Sequence, residues 1–191
     1  SDLENLTVDD EQRRQLATPF SGRWYTSPQN VDLRSLASAY ASADYVDDTI
    51  QLYRIILQQD PNNADDHNLL GIKLFEQENW EDAEHHYHEV LRLNSELVDA
   101  QYNLGLVLAG QGKTGEAVKN FRSVIPLDPN YFDAHFDLAV ALHSQGQLAE
   151  ATVHYRAAAR VQPDEPRVRR RLAAALIQQG QPNEAMTDFR E

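Results

Sequence analysis

The stretch "NLGLVLAGQGKTGEAVKNFRSVIPLDP", residues 103–129, decides the fold, because its middle has two readings. "GKT" at 112–114 ends like a phosphate-binding loop, GxxxxGK[ST], in which successive backbone N–H groups wrap the phosphates while the lysine and hydroxyl reach phosphate and magnesium. Such a loop follows a strand and opens on glycine. Here Val107 stands at the first glycine position, and the preceding "AQYNLGLVLA" has the apolar spacing of a helix. The other reading is a turn between two helices, and the rest of the chain chooses.

A period of 34 residues makes that choice. Pro61, Pro129 and Pro163 are in step, with Ser95 at the missing member. Leu36, Leu70, Leu104, Leu138 and Leu172 form one series, followed by an always small one, Ala37, Gly71, Gly105, Ala139 and Ala173. Tyr40, Leu74, Leu108, Leu142 and Leu176 are large; Thr49, Ala83, Ala117, Ala151 and Ala185 are small; Tyr53, Tyr87, Phe121, Tyr155 and Phe189 are aromatic. Within each unit these positions recur at threes and fours on both sides of a polar break, which predicts two helices per unit. Small residues let the helices approach, and the large ones fill the space between units. Aligned, the breaks read "EQENWEDA", "AGQGKTGEA", "HSQGQLAEA" and "IQQGQPNEA", so Lys113-Thr114 shares a slot with Gln147-Leu148 and Gln181-Pro182. Gly112, Gly146 and Gly180 fall where a helix end takes a left-handed residue, and the prolines stop the second helix. The "GKT" segment is therefore expected to be an inter-helix turn.

This pattern resembles the tetratricopeptide repeat family, whose signature W-x2-L-G-x2-Y…A-x3-F…P is matched by residues 103–129 and by "DLAVALHSQGQLAEATVHYRAAARVQP". The resemblance covers residues 30–191 as about five units, the last incomplete at Glu191. It departs at the Trp slot (Leu33, His67, Gln101, His135, Arg169) and at two turns, where Asp44 and Glu78 replace glycine. It implies an all-α solenoid, a right-handed superhelix of helix-turn-helix units whose first helices line a concave groove for peptides or partner proteins. An array normally ends in a polar capping helix, and the expectation here is that the chain continues or that another molecule covers the end. Residues 1–29 lie outside the period: an N-terminal cap, an arm laid in a groove, or a tail, carrying Phe20, Trp24 and Tyr25.

Composition narrows the function. The net charge of −13 argues against general nucleic-acid binding, and no apolar run approaches the roughly 18 to 20 residues of a membrane-spanning helix. Without cysteine the chain has no thiolate nucleophile and no cysteine metal site, while its compartment, cytoplasmic or periplasmic, stays open. The charge is uneven: residues 1–60 carry 10 acids against 5 bases, 61–131 carry 12 against 5, and 132–191 carry 8 against 7. No catalytic constellation and no cofactor motif is found, so the expectation is a non-enzymatic scaffold. Two alternatives are a substrate-recruiting domain of a larger enzyme such as a glycosyltransferase, and a self-assembling array.

By the family geometry the groove carries Asp65, Asn68, Leu69, Ile72 and Phe75; then Asp99, Tyr102, Asn103 and Leu106; then Asp133, Phe136, Asp137, Val140 and His143. Asp65, Asp99 and Asp133 repeat at the period and form a ladder of acceptors for a basic peptide, or else a solvated edge and dipole partners of the helix N-termini. The carboxylate clamp of chaperone-binding relatives finds no complete register. Set on the second to fourth units it matches Asn103 but meets Asp133 and Asp137; shifted by one it matches Arg167 and Arg171 but meets Tyr102, Leu106 and Asp137. Of the asparagine ladder of sugar-transferase relatives only Asn103 is kept. Arg167, Arg170 and Arg171, with Arg169, Arg156 and Arg160 near them, form either a solvated face or a second docking patch for an acidic partner, a second copy included. Glu81, His85 and Glu89 share one helix face with Glu84 and His88 beside them; without an HExxH motif they are expected to be exposed non-ligands, and His67 and His135 packing residues.

Overall fold

The structure, a computed structural model, describes residues 32–188; the expectations for residues 1–29 and for Phe189 lie outside them. Among the described residues every regular element is a helix: α1 Leu33–Ser42, α2 Val46–Gln59, α3 Ala64–Glu76, α4 Trp80–Leu93, α5 Val98–Gly110, α6 Thr114–Val124, α7 Phe132–Ser144, α8 Leu148–Val161, α9 Pro166–Gln178 and α10 Pro182–Asp188. Each helix packs on its neighbours in chain order, and α3 also touches α5 as α7 touches α9, so odd-numbered helices share one side of the solenoid.

The capping chemistry agrees with the breaks. Asp32, Asn63, Asn79 and Glu165 accept backbone N–H groups at the starts of α1, α3, α4 and α9, and Pro166 occupies the first turn of α9, where its missing N–H costs nothing. At the ends of the odd helices one closure recurs. The N–H groups of Tyr45, Asn79, Lys113, Gln147 and Gln181 reach back to the carbonyls of Tyr40, Leu74, Leu108, Leu142 and Leu176 at 2.8–3.0 Å. That bond requires a left-handed residue just before it. Gly112, Gly146 and Gly180 supply it at φ 74–76°, and Asp44 and Glu78 adopt it as well, at φ 62° and 56°. Lys113 thus belongs to a helix-turn-helix corner, where its ammonium pairs with Glu84 at 2.9 Å.

Inside the units, rings of even helices press on the small slots of odd ones. A Cβ placed on Gly105 would lie 2.5 Å from the Phe121 ring, and one on Gly71 would lie 3.1 Å from Tyr87. His67 and His135, both 6% exposed, fill the Trp slot as packing residues. Each contacts a histidine of the following helix through Nδ1, His86 at 2.9 Å and His154 at 3.0 Å, and a proline carbonyl, Pro61 or Pro129, through Nε2 at 3.1 Å. Even helices are joined from unit to unit by ion pairs: Arg54–Asp82 at 3.0 Å, Arg122–Glu150 at 2.7 Å and Arg156–Glu184 at 2.8 Å.

Candidate partner-binding groove

The odd helices bring the expected groove residues into three neighbouring layers. In the first, Asp65 and Leu69 are exposed and line a cleft of about 650 Å³ with Arg34, Asp66 and Tyr53. Asp66, next to the expected Asp65, is 3% exposed and held by Arg34 through Nε at 3.0 Å and Nη2 at 2.7 Å. A buried carboxylate is tolerated only when it is paired and hydrogen-bonded, and this two-point contact supplies both. Asn68 and Ile72 are half-buried, and the Asn68 side-chain oxygen is enclosed without a protein donor. Phe75 packs edge-on against Trp80, their ring centroids 5.3 Å apart.

The middle layer is aromatic and acidic together. Tyr102 on α5 packs between Tyr131 and Phe121, at ring-centroid distances of 5.2 and 5.8 Å. Its hydroxyl donates to Asp137 on α7 at 2.7 Å, while the Tyr131 hydroxyl donates to Asp99 at 3.0 Å. Two rungs of the acidic face are thus tied across the unit boundary by tyrosines. Burial pushes the Asp137 carboxyl above its ordinary value, partly opposed by the Tyr102 hydrogen bond, with Asp133 raising it further. Burial and the adjacent carboxylates hold both phenols above theirs, so each stays a neutral donor at ordinary pH. Asn103, Leu106 and Val140 are half-buried between these groups and the core.

In the third layer Phe136 stacks on Phe132 at 6.1 Å and meets the edge of Tyr155 at 6.0 Å, while Asp133 stands exposed beside them. Arg167, the first arginine of α9, lies over the Phe136 ring, with its guanidinium carbon 5.2 Å from the centroid. Arg170 and Arg171 are exposed further along α9. His143 contacts Gln178 at 3.1 Å, and its other ring nitrogen, like the Tyr155 hydroxyl, is buried without a partner. The face offers carboxylate acceptors and flat rings, a set suited to holding a cationic side chain.

The outer histidine-carboxylate group is engaged in other ways. Glu84 binds Lys113 and Gln111, Glu89 binds Arg92, and His85 meets His86 edge-on. Sequence reasoning passed over Arg34, Asp66 and Tyr131. Arg34 and Asp66 carried a signal: Arg34 shares the slot of Asn68, Tyr102 and Phe136, and Asp66 places a carboxylate where the next units have Ala100, Ala134 and Val168. Tyr131 sits in the loop before α7, where the helical period makes no statement.

Comparison with known families finds tetratricopeptide repeat matches at residues 68–132, 108–165 and 142–187. Comparison with curated proteins finds no significant match. Among solved structures, MamA matches at a TM-score of 0.79 and 22% identity over 83% of this chain and 86% of that one. MamA from Desulfovibrio magneticus RS-1 matches at 0.77 and 18% over 82% and 89%. YrrB, described as a TPR protein with an unusual peptide-binding site, matches at 0.72 and 20% over 82% and 80%. These likenesses establish a shared fold.

Proposed function

Because this chain belongs to the tetratricopeptide repeat family, we propose that it is a non-catalytic interaction scaffold that grips a peptide or protein segment along its concave face. The observation that supports this is the layer formed by Tyr102, Tyr131 and Phe136 with Asp99, Asp133 and Asp137, where rings offer contact area and carboxylates offer direction. Asp65 and Asp133 are exposed at matching positions, so an extended basic segment would meet a carboxylate about every third residue, given roughly 3.3 Å per residue and helices about 10 Å apart. The peptide-binding site that names YrrB lends the reading a precedent on the same fold.

The test is binding of an array of basic and acidic peptides to the wild-type chain, to Phe136→Ala and to Asp133→Asn, with circular dichroism confirming the fold of each. Loss of about 1 to 3 kcal/mol on truncating Phe136 is the expected cost of a buried anchor. Unchanged affinity in both variants would remove the groove from the account. The competing readings are recruitment of a substrate to a linked catalytic domain, and self-assembly in which the Arg-rich end meets the acidic groove or open face of a second copy; light-scattering mass that climbs with protein concentration and falls with salt would favour self-assembly.

A further inference from the structure

Resting on the groove reading, we infer that Arg167 occupies the seat of a cationic side chain of the partner, so that the unliganded groove holds an arginine of its own where the partner's arginine docks. Arg167 falls on the same slot of the period as Asp65, Asp99 and Asp133, and it is the rung at which the ladder changes sign. Its guanidinium carbon sits 5.2 Å from the centroid of Phe136, a ring fixed from beneath by the edge of Tyr155 at 6.0 Å. Asp133 and Asp137 act on the same guanidinium, adding to Glu165, whose hydrogen bond is the main cause that keeps it firmly protonated.

A flat ring with two carboxylates in electrostatic reach of the cation above it makes a cation seat rather than a bare acidic patch, and a planar guanidinium is the group that stacks and pairs at once. Beneath the ring, the Tyr155 side chain is 0% exposed and its hydroxyl has no protein partner, with Arg171 and Asp137 acting on it in opposite senses. Arg167 is tied through Nε to Glu165 at 3.0 Å rather than to either aspartate. Its side chain is 55% exposed, so the seat is shallow and open to exchange.

The experiment measures fluorescence anisotropy of a labelled, end-capped peptide with arginine at every third position, at low and at physiological salt. The proteins are wild type, Arg167→Gln and Arg160→Gln, the last an exposed arginine of α8 serving as a net-charge control. Removing an exposed cation–π competitor is expected to tighten binding by about two- to fivefold in Arg167→Gln beyond any gain in Arg160→Gln. Equal gains in the two variants, or weaker binding by Arg167→Gln, would overturn the inference and leave the groove reading standing. Failure of all three proteins to bind at low salt would overturn both.

Discussion

Removing one hydroxyl, by Tyr102→Phe, probes the middle layer directly. The phenol donates to Asp137 at 2.7 Å, and burial has already raised the carboxyl's pKa. A folded-state pKa above the unfolded value means that the folded chain keeps a proton the unfolded chain releases. In that window stability falls as pH rises, and the loss is complete once the folded carboxyl has ionised. Without its donor the carboxylate is costlier still, so the variant's loss extends to higher pH. Hydrogen bonds to charged groups contribute about 1.5 to 3 kcal/mol and neutral ones about 0.5 to 1.5. Tyr102→Phe is therefore expected to cost about 2 kcal/mol at neutral pH and about 1 kcal/mol at roughly pH 3, where Asp137 is mostly protonated. Urea denaturation followed by helical circular dichroism at the two pH values measures the difference. Adding Asp137→Asn to Tyr102→Phe should abolish the pH dependence of the cost. Equal costs at the two pH values would refute the assignment of a charge-assisted bond.

Other substitutions test the packing and the turns. Glu78→Gly should stabilise and Gly146→Ala destabilise by about 1 kcal/mol each, because both positions have positive φ; melting temperatures would move in opposite directions by about 2 to 4 °C. Gly105→Ala, with its new methyl 2.5 Å from the Phe121 ring, should cost about 1 to 3 kcal/mol in chemical denaturation. Gly71→Ala, at 3.1 Å from Tyr87, should come out near neutral, since the helix gain of about 1 kcal/mol offsets mild crowding. His86 is pushed down from 6.5 to about 4 by burial and then by His67 and His85, with Arg54 adding to this and Asp82 opposing it. Between those values the unfolded chain takes up protons that the folded chain refuses, so stability should drop by about 1 to 2 kcal/mol as pH falls through the window. His86→Gln should flatten that drop in melting curves taken across it.

The solenoid was legible because every unit repeats the same small, large and aromatic slots, and a period spanning Leu36 to Leu172 leaves little freedom of register. The two turns that departed from the pattern were legible in place but not in conformation. Asp44 and Glu78 enter the left-handed region because the surrounding closure demands it, whatever the residue. The groove residues could be placed by register, but their pairings could not. Tyr102 selects Asp137 across a unit boundary, and Tyr131 reaches Asp99 from a loop, contacts set by the stacking of units. The histidine pairs were missed for the same reason: His67 and His135 were expected to pack, yet their mates, His86 and His154, sit 19 residues on. That separation belongs to neither the helical nor the repeat period.

The ion pairs on the even helices have a mechanical consequence. Arg54–Asp82, Arg122–Glu150 and Arg156–Glu184 each clip one unit to the next, along the side away from the groove residues. Exposed clips of this kind weaken as electrolyte rises. Background salt therefore loosens the joints between successive units along the even-helix side, by a fraction of a kcal/mol to about 1 kcal/mol at each. The apolar seam between the helices keeps the units stacked at any ionic strength, while these joints respond to it.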